Sequence, residues 1–573
     1  MPNNTPESRP SATGDTDTSS PCWQRIVSPR LPLFMTVNTT RRTAAIASAL
    51  FLCCAPVLLS AQVVGVGELT SIGSETEERQ RLSQLSDAAL VTSAPFRSLS
   101  LLSPKRKATV TLLLPEARVT YNSAIPFSLN DGVMWAGRGT NTMYTAGVDV
   151  RFKMVRLVLA PQFTTSANLP FQTIPFPQGN ADHRSVWANP FYPEQQSLDL
   201  PMRFGDQKLS RTDFGQSSLS ATAYGVDAGI ATENIWWGPA QRNAIVLSNN
   251  APGFAHVFLR SHDGIQTRVG RFDAQYLLGR LDESDYFDSD STNDVRALNG
   301  LIVSYVPSRS RGFNVGFSRL VIAPKNQGQV TWRDGDNVFR DVGHPNTSAT
   351  DIAKGAGPDQ ITSLFARVVI PNANFETYAE WARFEWPISL RDFLETPGHS
   401  QGYTLGLGWA RPLPRGLTLK LAGEGTYLEP DASVRRRPVA TSYTSRSVVQ
   451  GFTNRGQMLG AAIGPGASSQ WVGADIFGKR FRAGGFLSRV RWDNATLWTP
   501  IVPQLKNEDV SLMAGLKGSV TFARMRLALE YTQAARLDYL YQDRNDDYLL
   551  GTHKGVDILN RTLSITLSTA VGR

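Results

Sequence analysis

Residues Leu417 to Tyr427, LTLKLAGEGTY, alternate between apolar and polar side chains. The leucines of this stretch share one face of an extended strand, and Thr418, Lys420 and Glu424 share the other, because successive side chains of a strand point to opposite faces. The two faces of such a strand contact different solvents.

The same period of two recurs in other parts of the chain. Apolar residues occupy alternate positions in Phe272–Leu278, Tyr403–Trp409, Met525–Tyr531 and Leu563–Leu567. A soluble β-sandwich would show the same alternation, so the number of strands has to decide. The chain after Thr109 is long enough for about 16 to 20 strands of ~10 residues with turns and loops, which favours a transmembrane antiparallel β-barrel. Closure of a barrel also removes the exposed edges of a long open sheet.

Composition excludes several other classes. The 573 residues are 41% hydrophobic and 19% charged, with 47 glycines and 34 prolines. This composition is too apolar for a disordered chain and too rich in turn-forming residues for a helical bundle. The net charge of +9 is spread along the sequence, whereas a nucleic-acid site needs clustered basic residues.

The first 61 residues predict an export signal. The apolar run Ala44–Leu59 follows two arginines and ends before Ala61, a small residue suited to cleavage. Met35 is the expected start, and residues 1–61 are the expected leader and signal peptide. All three cysteines precede Ala61, so the exported chain would have no disulfide and no cysteine metal site. No later run is long and apolar enough for a spanning helix, which leaves a periplasmic protein or an outer-membrane barrel.

Two regions depart from the strand pattern. Ser74–Leu90 begins with a serine cap and early glutamates, which predicts a short helix on the periplasmic side, within a periplasmic helical segment at 62–106. Phe171–Gln207 is rich in proline and aromatic residues, which predicts a long ordered loop or a plug element. The barrel is expected at 107–573, with plugging loops.

The stretch Ile235–Pro252, IWWGPAQRNAIVLSNNAP, has the residue types that hold sugars. Tryptophan rings stack on the C–H faces of pyranoses, while asparagine amides and the arginine fork exchange hydrogen bonds with hydroxyls and carboxylates. An aromatic turn at a membrane interface is the alternative interpretation of the same residues.

Catalysis and metal binding find little support. Gly398–Gly402 fits the G-x-S-x-G pattern of α/β-hydrolases, but Pro397 precedes it and an alternating strand follows where a helix is required. The acidic run Asp282–Asp290 lacks the spacing of a calcium loop and is interpreted as a solvated loop, with occasional Ca²⁺ binding as the weaker alternative. The six histidines form no i, i+4 pair. We therefore expect no enzyme activity, no cofactor and no metal.

Four blocks of sequence together resemble the capsule assembly protein Wzi family. They are Tyr121–Asn141, Asp199–Asp206, Ile235–Phe254 and Gly451–Gln470. The resemblance implies an all-β outer-membrane barrel of about 18 strands, with a small periplasmic helical element and a plugged lumen. It further implies a lectin-like protein that binds exported capsular or extracellular polysaccharide and helps assemble or attach it at the cell surface. Outer-membrane lipid and the barrel-assembly machinery are the other expected partners, although Arg573 stands where such barrels usually end on an aromatic residue.

The expected glycan contacts come from two of these blocks. They are Trp236, Trp237, Arg242, Asn249, Asn250, Trp135, Arg138 and Asn141. For each residue the alternative is a structural contact inside the barrel, because large barrels line their lumens with such side chains. A solute-conducting porin is the rival function, for which a wide polar lumen would suffice.

Overall fold

The alternating stretches form long antiparallel strands. The computed structural model describes residues 64–87, 96–102, 110–176, 184–192, 197–310, 312–325, 329–340, 357–385, 389–431, 441–497, 507–542 and 557–570. The predicted leader at 1–61, its cysteines and Arg573 lie outside these residues.

The strands and helices are numbered in chain order. The strands are β1 Val64–Gly67, β2 Phe96–Arg97, β3 Val110–Asn122, β4 Gly139–Phe152, β5 Val155–Leu159, β6 Gln162–Ser166, β7 Leu209–Asp213, β8 Ser218–Ala223, β9 Val226–Ala231, β10 Trp236–Trp237, β11 His256–Ser261, β12 Ile265–Gln266, β13 Gly270–Asp282, β14 Val295–Pro307, β15 Phe313–Lys325, β16 Asp359–Ile370, β17 Phe375–Arg383, β18 Gln401–Leu413, β19 Leu417–Tyr427, β20 Thr453–Asn454, β21 Gln457–Met458, β22 Ser468–Phe477, β23 Phe481–Arg491, β24 Val510–Phe522, β25 Met525–Leu537 and β26 Ile558–Thr569. The α-helices are α1 Glu75–Gln84, α2 Leu99–Leu102 and α3 Leu390–Glu395. Short 3₁₀ segments are Trp332–Phe339, Pro371–Ala373, Pro414–Gly416, Asn494–Leu497 and Tyr539–Tyr541.

The wall is a closed barrel. Successive wall strands pair antiparallel from β3 to β26, and β26 returns to β3 through pairs that run from Thr562↔Asn122 to Leu567↔Ala117. Strands β5 and β6 form one interrupted wall strand, because β4 pairs with both of them. Strands β7 and β8 form the next interrupted wall strand, because β6 pairs with β7 and β5 pairs with β8. Counted in this way, the described residues give eighteen wall strands. The predicted barrel is therefore confirmed.

The two faces of each wall strand meet different surroundings. In β19, Lys420 and Glu424 are buried in the lumen. On the outer face, Leu405 is 53% exposed, Leu487 61% and Leu516 67%. An outward apolar surface over a polar interior is the arrangement of a barrel that contacts lipid.

The barrel has a short-turn end and a long-loop end. At the short-turn end, Ala523 and Arg524 alone join β24 to β25, and both have positive φ, as a two-residue hairpin turn requires. At the long-loop end, the connections include 232–255 between β9 and β11 and 428–467 between β19 and β22. Short turns on one side and long loops on the other are the usual pattern of outer-membrane barrels.

Helix α1 occupies the lumen at the short-turn end. The Ser74 side chain accepts a hydrogen bond from the Glu77 amide, which caps the helix as predicted. The Arg81 Nε lies 2.9 Å from the Glu376 carboxylate on β17, and Lys420 lies 3.2 Å from Glu78. The helix ends at Gln84, whereas the sequence predicted it to Leu90, a residue outside those described. Among the described residues, no helix is long and apolar enough to cross a membrane.

Candidate functional site

The block Ile235–Phe254, which we call the Trp-Trp block, lies inside the lumen. β10 pairs with β2, so that Trp236 lies opposite Arg97 and Trp237 opposite Phe96. This pairing joins the long loop 232–255 to the N-terminal segment. The first of the expected glycan contacts therefore take part in an internal junction between two plugging segments.

Both tryptophan rings are buried. Trp236 is 2% exposed, donates its indole N–H to the Ala240 carbonyl at 3.0 Å and stacks against the Arg97 guanidinium at 4.8 Å. Trp237 is 0% exposed and donates to Gln275 on β13 at 3.0 Å. A Cβ at Gly300 would come within 2.6 Å of the Trp237 ring, so this close approach requires glycine on β14. Neither ring presents a free face to a ligand in this structure.

The turn after the tryptophans is fixed by one carboxylate of the wall. Glu424 on β19 accepts hydrogen bonds from the backbone amides of Gln241, Arg242 and Asn243, at 2.7, 3.1 and 2.8 Å. It also accepts one from the Tyr378 hydroxyl at 2.7 Å. Successive N–H groups that converge on an anion form a nest, and this nest anchors the loop to the barrel.

Arg242 and the paired asparagines connect the loop to the block at 121–141. The Arg242 guanidinium stacks on Trp471 at 4.6 Å, and its carbonyl accepts from the Asn130 side chain at 2.8 Å. Asn249 donates to the Asn130 carbonyl at 3.1 Å, and Asn250 accepts from the Asn130 amide at 3.2 Å. All three expected contacts are partly buried and bonded to protein.

The remaining expected contacts lie at the start of β4 and just before it. Asn141 is fully buried and donates to the carbonyls of Thr120, Gly137 and Gly139 at 2.9 to 3.1 Å. Arg138 donates to the Pro170 and Ser123 carbonyls. Trp135 is partly exposed, and its ring centroid lies 4.9 Å from that of Phe204.

The four sequence blocks meet in space. Gln457 donates from its side chain to the carbonyls of Gly132 and Asn250, at 3.0 and 3.1 Å. Phe204 packs closely at Gly456, where a Cβ would come within 2.9 Å of the ring. One residue from each block thus takes part in the same contact region, beneath the long-loop end of the barrel.

A cavity of about 300 Å³ opens above this region, and we call it the outer pocket. Its lining includes Phe127, Trp135, Phe171, Phe191, Tyr192, Asn250, Trp492, Asp493, Asp509, Arg536, Tyr539 and Tyr541. A concave, largely aromatic cavity with a few placed polar groups is the usual form of a small-molecule or sugar site. Of the eight expected contacts, Trp135 and Asn250 line it.

An ion pair organises one wall of the outer pocket. Arg536 donates to both oxygens of Asp509 at 2.6 and 2.8 Å. Its guanidinium also lies 5.1 Å from the Trp492 ring and 4.7 Å from the Tyr539 ring. The Trp492 indole is oriented by a hydrogen bond to Ser511 at 2.8 Å. These bonds hold two aromatic rings in place beside the cavity.

Asp493 lies on the opposite side of this aromatic wall. It accepts from the Tyr192 hydroxyl at 2.5 Å and from Thr496 at 2.7 Å. Burial raises the pKa of the Asp493 carboxyl to about 6, with a smaller contribution from Asp509, while the bonds from Thr496 and Tyr192 act against the rise. This carboxyl therefore changes charge just below neutral pH.

The segment beyond β25 has an unusual backbone. Asp538, Leu540 and Tyr541 have φ of 51°, 60° and 62°, a left-handed conformation that L-residues seldom adopt. Tyr539 and Tyr541 are nevertheless held by hydrogen bonds to the carbonyls of Gln172 and Asp493, at 2.9 and 3.0 Å. Backbone strain of this kind is concentrated at binding sites.

Sequence reasoning missed most of this pocket. Phe191 and Tyr192 fall in the aromatic loop that was singled out only as a plug element, and the clustered tyrosines at 539–541 were the one further signal in the sequence. Trp492 and Arg536 stand at the ends of wall strands, where their role depends on which loops fold over them.

A larger cavity of about 1070 Å³ lies at the short-turn end. Its charged lining includes Arg97, Arg156 and Asp227, and the two phenylalanines in its lining, Phe96 and Phe365, are buried. This cavity offers charge but no exposed ring to a sugar. The outer pocket is the better candidate for a glycan.

The motifs set aside in the sequence lie in ordinary loops. Ser400 directly precedes strand β18, so the strand–turn–helix context of a hydrolase nucleophile is not formed there. The acidic run forms the connection between β13 and β14, where Ser284 and Gln450 hydrogen-bond to Asp199 and Glu283. Across the described ranges, no group of three or more His, Cys, Asp or Glu side chains is placed to hold a metal.

Comparisons with known proteins agree on the barrel. A family model described as capsule assembly protein Wzi matches residues 204–477. A solved structure of Wzi from Escherichia coli has a similar fold, and it is described as an outer membrane protein involved in group 1 capsule assembly and a carbohydrate-binding β-barrel. The two chains are 10% identical with a TM-score of 0.55, and the match covers 87% of this chain and 99% of that one. At that identity the likeness shows the fold.

Two other solved structures give weaker likenesses. OccK5 from Pseudomonas aeruginosa is 10% identical with a TM-score of 0.36, covering 80% of this chain and 97% of that one. A BenF-like porin from Pseudomonas fluorescens is 8% identical with a TM-score of 0.37, covering 80% and 98%. No curated protein sequence matches this chain.

Proposed function

Since a family model described as capsule assembly protein Wzi matches residues 204–477, we propose that this chain is a member of that family, and that it binds exported capsular or extracellular polysaccharide at the outer membrane and helps attach it to the cell surface. The barrel would lie with its short turns in the periplasm and its long loops outside. The observation that carries the proposal is the outer pocket, an aromatic cavity at the long-loop end of the barrel; this end would face the exported polymer.

Recognition would come from stacking and from a few oriented polar groups. Trp492 and Trp135 are both partly exposed at the pocket, and each stacked ring contributes about 0.5 to 1.5 kcal/mol beyond the area that it buries. A polymer presents the same sugar repeatedly, so modest contacts to one unit can retain a long chain through high effective concentration. Binding of this kind needs no catalysis, and we propose none.

The eight residues expected from the sequence divide into two roles in this proposal. Trp135 and Asn250 contact the glycan together with Trp492. The other six residues act indirectly, because their bonds hold the loops that form the floor of the pocket; they are Trp236, Trp237, Arg242, Asn249, Arg138 and Asn141.

A direct test compares two pairs of tryptophan substitutions. The double variant Trp135→Ala/Trp492→Ala should weaken binding of purified polysaccharide by about 5- to 150-fold, which corresponds to the loss of two stacked rings. Trp332→Ala is the matched control, because this residue is 80% exposed but does not line the pocket. Equal affinity of the double variant and the control, in protein that remains a folded barrel, would exclude the outer pocket as the glycan site.

Conduction is the rival function and is tested independently. The lumen of the described chain contains α1 and the Trp-Trp block, which are bonded to the wall through Glu376 and Glu424. We therefore expect little ion flow through the wild-type protein in a planar bilayer. A large and steady single-channel conductance would instead support a porin.

A further inference from the structure

A segment of one long loop packs against the outside of the barrel. The segment Trp332–Phe339 belongs to the connection between β15 and β16. The Gly335 carbonyl accepts a hydrogen bond from Tyr276 at 2.7 Å, and the Val338 carbonyl accepts one from Arg319 at 2.7 Å. The Val338 amide donates to Asn299 at 2.7 Å. Three wall strands, β13, β14 and β15, thus hold one face of the segment.

The strand pattern shows that this is the outer face. Gln275 on β13 points into the lumen, because its side chain bonds to the buried Trp237. The next residue, Tyr276, therefore points outward. Tyr276 pairs with Leu301, and Leu301 pairs with Arg319, so these side chains form one row across the outside of the wall.

The wall beneath the segment is unlike the rest of the outer surface. Asn299, Arg319 and Gln360 are outward-facing polar residues that are at most 4% exposed. The outward-facing Leu364 of β16, further toward the short-turn end, is 51% exposed. Polar groups cannot face the acyl chains without a partner. The segment covers these polar residues, so the segment and not the wall forms the outer surface of the barrel at this position.

The open side of the segment presents two large aromatic rings together with the exposed Arg333. Trp332 is 80% exposed and Phe339 is 61% exposed. Phe339 also stacks on Tyr276 with a ring separation of 6.1 Å, and a capping box between Thr331 and Asp334 fixes the start of the segment. The two rings are therefore held in place on a surface that is continuous with the lipid-facing leucines.

We propose that Trp332–Phe339 is a lipid anchor, in which Trp332 and Phe339 lie in the interfacial region of the outer leaflet. Tryptophan and other aromatic residues are enriched at this depth of a membrane. The continuity with the lipid-facing wall favours a lipid surface over a second protein as the occupant. The proposal rests on the membrane placement of the barrel and is independent of glycan binding by the outer pocket.

The test places a fluorescent label at the anchor. In full-length protein with Cys22, Cys53 and Cys54 replaced by serine, Trp332→Cys would be labelled with bimane and reconstituted in vesicles that contain brominated phospholipids. Leu364→Cys is the lipid-facing control, and Asp290→Cys, at an exposed position of the neighbouring long loop, is the aqueous control.

Brominated lipid should quench the label at 332 at least about two-fold more strongly than the label at 290, with a blue-shifted emission approaching that at 364. Quenching at 332 equal to that at 290, together with full access to iodide, would overturn the proposal in favour of a free aqueous surface. Protection at 332 from both iodide and brominated lipid would overturn it in favour of a protein partner or a second copy of this chain. Glycan binding would be unchanged in all three cases.

Discussion

Replacement of Glu424 by alanine should release the Trp-Trp block from the barrel wall. Its carboxylate accepts hydrogen bonds from three consecutive backbone amides at 241–243 and from the Tyr378 hydroxyl. Glu424 is 5% exposed, so its carboxylate bonds to these donors rather than to bulk solvent. Glu424→Ala leaves four polar groups without their acceptor.

The expected cost follows from these four donors. A buried donor that loses its acceptor costs about 1 to 3 kcal/mol, and a simple sum would exceed 4 kcal/mol. A cavity of about 400 Å³ borders Glu424 and admits water, which offsets part of this loss. We therefore expect roughly 3 kcal/mol, equivalent to a hundred-fold rise in the population of the undocked loop. Glu424→Gln retains one acceptor oxygen and should have an intermediate effect.

Hydrogen exchange and conductance measure the two consequences. Exchange at the amides of 241–243 should accelerate by about two orders of magnitude, and brief channel openings should appear in a planar bilayer. Glu530→Ala is the matched control, since it removes the same charge from an exposed position in the lumen. Wild-type exchange rates at 241–243 in Glu424→Ala would refute the idea that this carboxylate anchors the loop.

Three further predictions concern other parts of the molecule. Arg81→Ala removes one partner of the fully buried Glu376 and should weaken the docking of α1 by on the order of 3 kcal/mol. Hydrogen exchange measures the loss of docking, and the amides of α1 should exchange faster in Arg81→Ala than in the control Gln80→Ala. Burial raises the pKa of Asp493 from 3.8 to about 6, so the folded state binds the proton more tightly than the unfolded state does. The free energy of unfolding should therefore fall by up to about 3 kcal/mol as pH rises from 4 to 7. In Asp493→Asn, denaturation should not show this dependence of stability on pH. Leu516→Arg, at a 67% exposed position on the outer face, should destabilise the barrel in lipid by about 2 to 4 kcal/mol, and an equally stable variant in a folding titration would contradict a lipid contact there.

The barrel could be predicted from the sequence because alternation is a local property. Leu419 and Lys420 are neighbours in the chain, and the strand geometry alone assigns them to opposite faces. Length then limits the number of strands. Where the pattern is interrupted, as at Pro161 between β5 and β6, the wall strand is broken but the pairing with β4 continues on both sides.

The role of Trp236 and Trp237 could not be predicted in this way. A tryptophan pair followed by glycine and proline has the same local chemistry on a sugar-binding surface and in a packed lumen. The difference lies in distant residues, namely the indole acceptor Gln275 and the space left by Gly300. The outer pocket was hidden for the same reason, since its lining comes from segments as far apart as Phe127 and Tyr541.

Asn250 connects the Trp-Trp block to the outer pocket. Its side chain lines the pocket, donates to the Met458 carbonyl at 3.2 Å and accepts from the Asn130 amide at 3.2 Å. The same loop is anchored seven residues before Asn250 by the bonds to Glu424. An anchor that is lost in the lumen must therefore loosen a contact at the pocket, and Glu424→Ala should weaken polysaccharide binding although Glu424 does not line the pocket. If this variant binds glycan as wild type does while its loop amides exchange rapidly, the pocket is held by its other segments, and the anchor at Glu424 has no part in recognition.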